Sequence, residues 1–264
     1  MCKELNLNLI GIYSNKERDI GHSLASEAAK FLTSRGINAR LADDDAITAD
    51  MDCIITFGGD GTLLRAAKKA ALNGTPIMGI NLGRMGYLTD AGADDAFGAL
   101  NRLLSGEYIL EKRIMLEAGK SIALNDALVS HSGLPKALLL RVEINGEHMD
   151  TYQADGILVS TPTGSTAYNL SAGGPVIKPD VEVLAITPVC PHALHLRSAV
   201  VAPSDEITVQ VLSTGGALFM DGVNAGEIET GGKIKIQRSK YYTTIIKTQK
   251  KGFYDILRDK MNWN

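Results

Sequence analysis

The chain has 264 residues, 45% of them hydrophobic, and a formal net charge of −3. That length supports one large domain or two, and the lack of a Lys/Arg-rich run argues against a sequence-independent grip on a nucleic-acid backbone. No apolar run approaches a membrane span and the N-terminus lacks a signal-peptide pattern; Cys2, Cys53 and Cys190 lie too far apart for a disulfide framework, which points to reduced thiols and a cytoplasmic location.

In chain order, "LNLIGIY" (Leu7–Tyr13) reads as a buried strand. In "KERDIGHSLASEAAKFLTSRG", Ile20, Leu24, Ala28 and Phe31/Leu32 recur at helical spacing, with Gly36 as the stop. "CIITF" (Cys53–Phe57) is a short β-rich run leading into a glycine turn. "LLRAAKKAALNG" then predicts a helix ending at Asn73-Gly74, and "PIMGI" (Pro76–Ile80) another strand. Strands alternating with helices imply βαβ units, a parallel sheet, and a ligand site beyond the carboxyl ends of its strands.

The texture changes near residue 105. "EYILEKRIMLEAG" opens a series of β-type patterns. "ALLLRVEINGEHMDTYQ" predicts a hairpin turning at Asn145-Gly146. "EITVQVLS" alternates, "ETGGKIKIQRS" sets Gly-Gly between alternating arms, and "YYTTIIKTQ" reads as a further strand. The tail "GFYDILRDKMNW" returns to helical spacing at Phe253, Ile256 and Leu257. The fold expected is α/β plus β. A Rossmann-like α/β domain spans residues 1–100, with the tail 245–264 packing back on it, and a mostly antiparallel β-rich domain spans 101–244.

Three stretches could carry chemistry. "ITFGGDGTLLRAA" (Ile55–Ala67) places Asp60 among three glycines between a strand and a helix. Such turns usually present N–H groups to phosphate, yet no lysine follows as in a Walker A loop, and Leu64 stands where a dinucleotide fingerprint has its third glycine. A purely structural turn, with Asp60 or Thr62 capping the helix, is the alternative. "ADGILVSTPTGSTAYNLSAGGP" (Ala154–Pro175) supplies hydroxyls from Ser160, Thr161, Thr163, Ser165, Thr166 and Ser171. Its apolar flanks, with Ala167, Tyr168 and Leu170, favour a packed loop over a solvated one. "ALNDALVS" sets Asn125-Asp126 among apolar residues, as a turn or a polar contact, and "NLGRMGYLTD" (Asn81–Asp90) reads as a strand exit or a ligand loop. The five histidines, His22, His131, His148, His192 and His195, share no spacing with Cys or carboxylates that would make a zinc site. No G-x-S-x-G elbow points to a serine hydrolase.

In order along the chain, "FGGDGTLLRAA", "NLGRMGYLT", "ALNDALV", "ADGILVSTPTGSTAYNLSAGGP", "TPVCPHAL" and "MDG" resemble the motifs of the NAD kinases. The glycine turn alone is shared with diacylglycerol and sphingosine kinase-like proteins; the long hydroxyl segment is the specific part. The resemblance implies transfer of phosphate from ATP or a related donor to the adenosine-ribose 2′-hydroxyl of NAD. The cofactor it implies is Mg²⁺ or another divalent cation, and the assembly a homodimer or homotetramer, without nucleic acid or membrane. Asp60 would then accept the proton of the hydroxyl, with Gly59, Gly61 and Arg65 in the ligand turn. Asn125 and Asp126 match an Asn-Glu pair that contacts the nucleoside, here with an acid one methylene shorter. Asp155 would hold the nicotinamide end, and Thr163, Thr166, Ala167, Tyr168, Asn169, Leu170 and Ser171 would line the dinucleotide site. Val223 stands where many members carry glutamine.

Overall fold

A computed structural model describes residues 5–15, 18–42, 47–133, 137–193, 197–249 and 251–261. Cys2, His195 and the last three residues of the tail, 262–264, lie outside that set. The chain divides into two compact units, Met1–Arg113 with Tyr241–Asn264, and Ile114–Lys240. The cut therefore falls at Arg113/Ile114, beyond position 100, and the chain re-enters the first unit at Tyr241.

The first unit is the α/β domain. Strand β1 (Leu9–Ser14) leads to helix α1 (Ser23–Ser34), then β2 (Asn38–Ala42), β3 (Cys53–Phe57), helix α2 (Asp60–Asn73) and β4 (Ile77–Asn81). A two-residue β5 (Ala91–Gly92) and helix α3 (Ala96–Leu104) follow. Strands β2, β1, β3 and β4 lie side by side, all parallel. β3 and β4 are buried at every residue, as expected for a parallel sheet covered on both faces. Ala66, Ala67, Ala70 and Ala71 are buried along α2, and Ala25, Ala28 and Leu32 along α1; these are i, i+3, i+4 stripes facing the core. Gly74 closes α2 in the left-handed conformation (φ 70°), donating to the Ala70 and Ala71 carbonyls. Ile20 departs from the expected apolar stripe. It sits in a separate 3₁₀ turn ahead of α1 and is 83% exposed, because Gly21 breaks the helical run at φ 67°.

The second unit is β-rich. It takes the second half of β6 (Ile109–Ala118), then β7 (Ser121–Ala123), β8 (Asp126–Ser130), β9 (Leu138–Ile144), β10 (Glu147–Ala154) and β11 (Gly156–Ser160). A 3₁₀ turn (Thr163–Thr166) and the short helix α4 (Tyr168–Ser171) precede β12 (Leu184–Val189) and β13 (Ala199–Val201). The last strands are β14 (Ile207–Val211), β15 (Gly216–Met220), β16 (Val223–Ile228) and the long β17 (Lys233–Lys247), whose end belongs to the first unit; helix α5 (Phe253–Met261) closes the chain. One sheet runs β13-β12-β11-β8-β15-β16, antiparallel throughout. In this unit β10, β9, β14 and the start of β17 make a second antiparallel array. Asn145 (φ 52°) and Gly146 (φ 82°) form the expected two-residue hairpin turn. The Gly231-Gly232 turn joins β16 to β17, which lie in different sheets, so its two alternating arms do not pair with each other. One strand expectation changes. "YYTTIIKTQ" is no separate strand but the continuation of β17, since no turn residue interrupts Ser239–Tyr242.

Candidate active site

The glycine turn follows the carboxyl end of β3. Gly58 N–H donates to Ile80 O (2.9 Å) and Leu82 N–H returns to Gly58 O, which ties the turn to the exit of β4. A Cβ on Gly58 would fall 2.2 Å from Thr62 Oγ1, so this glycine is required by packing. Gly61 is different: it has no positive φ, and no described residue lies within 4 Å of an added Cβ. Among the described residues, neither conformation nor packing demands glycine there. Over Gly59 the nearest neighbour among the described residues is the end of the Arg18 side chain. Arg65, one turn into α2, is exposed.

Asp60 is the first residue of α2, and the helix has no side-chain cap at its start. Asp60 is therefore not the cap of its own helix. The carboxylate instead leaves its helix and accepts three backbone N–H groups: Tyr87 at Oδ2 (2.8 Å), Leu88 at Oδ1 (3.1 Å) and Thr89 at Oδ1 (3.3 Å). A carboxylate offers about four acceptor sites. Three are filled and, among the described residues, Oδ2 has no second donor. Gly86 makes this approach possible, because a Cβ there would stand 1.9 Å from Asp60 Oδ1. "NLGRMGYLTD" is thus the loop that seats Asp60. Asn81 shapes its start, donating to Arg84 O and accepting from Gly83 N–H. Burial, followed by the Asp60 charge, pushes the Tyr87 phenol up.

The second constellation lies in the β-rich unit. A cavity of about 540 Å³ is lined by Asn125, Asp126, Leu128, Ser130, His131, Ala167, Tyr168, Phe219, Asp221 and Gly222. Four of the expected residues, Asn125, Asp126, Ala167 and Tyr168, meet there. The Asp221 carboxylate accepts the N–H groups of Leu124 (2.9 Å), Asn125 (2.7 Å) and Asp126 (3.2 Å), and Asn125 O accepts Thr161 N–H (2.9 Å). A Cβ on Gly164 would overlap Asn125 O at 2.1 Å, so that glycine lets the hydroxyl loop close over the pair. Asp221 and Gly222 turn the β15–β16 hairpin at φ 52° and 76°. Sequence reasoning passed over Asp221 as a site residue; its signal was the Asp-Gly dipeptide of a two-residue hairpin.

The hydroxyl loop is packed, as its apolar flanks implied, and much of its polarity faces inward. Ser160, Thr161, Ser165 and Asn169 are fully buried. Thr161 Oγ1 donates to Leu124 O, and Ser165 Oγ bridges the Pro162 carbonyl and the Ile177 backbone. Asn169 donates to Ser165 O and Pro175 O while accepting from Thr187. Its amide makes its hydrogen bonds inside the loop. Thr163 is buried as well; Thr166, Leu170, Ser171 and Asp155 lie outside the cavity lining. Tyr168 is 44% exposed. Burial pushes its phenol up, and the charges of Cys190, Asp155 and Asp126 act in the same direction. Asp155 therefore shares a field with Tyr168 and Asp126. Among the described residues, no group of three or more His, Cys, Asp or Glu is gathered to hold a metal ion. No described helix is long and apolar enough to cross a membrane.

The family model for the ATP-NAD kinase N-terminal domain matches residues 2–108, and that for the ATP-NAD kinase C-terminal domain matches 124–248. The chain belongs to the NAD kinase family. Similar relatives include the NAD kinase of Desulforamulus reducens, 37% identical over 97% of both chains, and that of Caldanaerobacter subterraneus subsp. tengcongensis, 42% identical over 81% of this chain and 80% of the relative. The crystal structure of an NAD kinase from Archaeoglobus fulgidus in complex with ATP superposes with a TM-score of 0.82 at 25% identity, covering 96% of this chain and 98% of that one. The yeast NADH kinase complexed with NADH shares the fold at a TM-score of 0.87 and 20% identity, over 98% and 88% of the two chains. This NAD kinase assignment removes the lipid-kinase alternative raised by the glycine turn alone.

Proposed function

We propose that Asp60 is the general base of an NAD kinase, with the second acceptor site of Oδ2 receiving the proton of the substrate hydroxyl. The enzyme phosphorylates NAD to NADP with ATP. The 2′-oxygen of the adenosine ribose attacks the terminal phosphorus. A new P–O bond forms, the bond to the ADP oxygen breaks, and the hydroxyl proton passes to Asp60 before release to solvent. Phosphoryl transfer is otherwise mostly positioning and charge stabilisation. The observation that carries the reading is a carboxylate fixed by three N–H donors with one oxygen site left open.

The remaining roles are those the resemblance to the NAD kinases implies. Gly61, free of any local demand for glycine, admits a ligand against the start of α2. Gly59 and Arg65 take the phosphate side. Asn125 and Asp126, seated by Asp221, hydrogen-bond the nucleoside, and Tyr168 and Ala167 supply the apolar wall of their cavity. Asp155 holds the nicotinamide end. Thr163, Thr166, Leu170 and Ser171 complete the loop, with Asn169 as its internal brace. The 101–244 segment is thus the NAD-binding domain. A divalent cation would neutralise ATP phosphate charge; the described residues gather no ligand set of three or more His, Cys, Asp or Glu for it. A cytoplasmic homodimer or homotetramer is part of the same proposal, supported by the family resemblance.

An NADP-coupled assay with ATP and polyphosphate supplied separately tests the donor side. ATP-dependent NADP formation is expected. NAD turnover absent with both donors, in a folded sample, contradicts the proposal.

A further inference from the structure

The loop that seats Asp60 is itself gripped from its other side. Lys247, the last residue of β17, donates through Nζ to Leu88 O (3.1 Å) and Thr89 O (2.8 Å). The Leu88 carbonyl and the Thr89 N–H are the two ends of one peptide group. That peptide therefore lies between an ammonium and the Asp60 carboxylate, an arrangement in which each hydrogen bond polarises the other. The following residues extend the grip. Asp90 accepts Thr248 N–H (2.9 Å), Thr248 Oγ1–H (2.6 Å) and Gln249 N–H (3.3 Å). Burial pulls the Lys247 pKa down, and the charges of Asp90, Glu111 and Asp60 oppose it while Arg113 reinforces it. A lysine held against such a desolvation cost, with its donors spent on two carbonyls of the loop that seats the base, has a role that packing alone does not require; a methionine stem would fill the space.

We propose that Lys247 is a positioning residue for phosphoryl transfer, acting through the Leu88–Thr89 peptide to fix the open oxygen of Asp60 toward the substrate hydroxyl. This rests on the reading of Asp60 as the base. Without the ammonium, the two carbonyls lose their donor and the loop relaxes. Asp60 then occupies the productive geometry for less of the time, while the groups that bind NAD and ATP are untouched. A misplacement of the order of 1 Å costs a rate factor of up to about 10².

The test compares wild type, Lys247→Met, Lys247→Gln, Lys247→Arg, Asp60→Asn and the double variant Asp60→Asn/Lys247→Met. For each, kcat, both KM values, the melting temperature and hydrogen exchange of the Tyr87–Thr89 amides are measured. Lys247→Met is expected to lower kcat about 10- to 100-fold with KM within about threefold. Lys247→Arg should recover part of that loss, and the Tyr87–Thr89 amides should exchange faster in the methionine variant. The double variant should be no slower than Asp60→Asn alone, because the whole effect travels through Asp60. Three results overturn the proposal: unchanged kcat with only a lower melting temperature, a KM effect without a kcat effect, or losses that multiply in the double variant. Should the methionine variant not fold, Lys247→Gln carries the same comparison with the same expected split. Near-wild-type kcat in Asp60→Asn is a separate outcome; it removes the base reading itself and is recognised without any Lys247 variant.

Discussion

Asp60 occupies the N-terminal residue of a helix and gives that helix no cap, and its carboxylate is spent on a loop 27 to 29 residues away. This long-range use separates what the sequence displayed at the residue scale from what it hid. A carboxylate inside a glycine turn was visible as an anomaly, and so was its candidacy as a base. Gly86, Lys247 and Asp221 were not, because their partners lie far along the chain: Asp221 serves Leu124–Asp126 across roughly a hundred residues. Only the folded sheets bring such positions together. Cysteine reactivity gives a residue-scale prediction. Cys53 is fully buried in β3, and desolvation, with the Asp52 charge behind it, pushes its thiol up to about 12 from 9.0; Cys190 is exposed. A thiol reagent at about pH 8 should modify Cys190 in the native protein and reach Cys53 only after unfolding, as read by peptide mass spectrometry. Equal labelling rates for the two would contradict the burial of β3. The sign of the linkage follows: the unfolded thiol ionises first, so Cys53 lowers stability as pH rises from about 9 toward 12.

Helix α1 illustrates the element scale. Its apolar stripe was legible in Ala28 and Leu32, while its start was not, because the capping group stands outside the periodic pattern. Asp19, nearly buried, accepts the N–H groups of Leu24 (3.0 Å) and Ala25 (3.1 Å) in the first turn, and also the Ser14 and Ser23 hydroxyls. Burial alone would raise its pKa; the hydrogen bonds from Ser14, Leu24, Ala25 and Ser23 together carry it below the usual carboxylate value. A depressed folded pKa means that the stabilisation is present above the unfolded value of about 3.9 and lost as pH falls through the folded one. Asp19→Ala should lower stability near neutral pH by about 0.5–2 kcal/mol. Its urea midpoint should also depend less on pH below about 4 than that of wild type. Identical acid slopes for the two proteins would show that Asp19 stays charged or protonated alike in both states. β16 and β17 mark the opposite case. The Gly231-Gly232 signal was correct as a turn, but alternation on its two sides cannot say whether the arms pair with each other or with separate sheets.

At the scale of the whole molecule, the α/β and β-rich architecture was readable because strand–helix alternation and hairpin dipeptides are local signals. The return of the chain at Tyr241 into the first unit was readable only as a helical tail. Its deeper content, a strand whose Ile245 pairs with Ile77 and whose Ile246 joins the core of that unit, needed the fold. Ligand linkage tests the enzyme as a whole. NAD or NADP at about 100 Kd should add about 2.7 kcal/mol, a rise of roughly 5–10 °C in melting temperature for a protein of this size. Diacylglycerol should add none, since the chain belongs to the NAD kinase family and its cavity carries the polar pair Asn125 and Asp126; stabilisation by the lipid alone would contradict that reading. The most direct test of the central claim is kcat for NADP formation by Asp60→Asn, measured beside its melting temperature and its Kd for NAD. Asparagine keeps the size and one carbonyl acceptor, so a stability loss of about 1–3 kcal/mol is expected from the weakened Tyr87–Thr89 contacts. NAD binding should be retained, and kcat should fall by about 10²–10⁴ through loss of the base. A folded Asp60→Asn enzyme that forms NADP at nearly the wild-type rate would contradict the account.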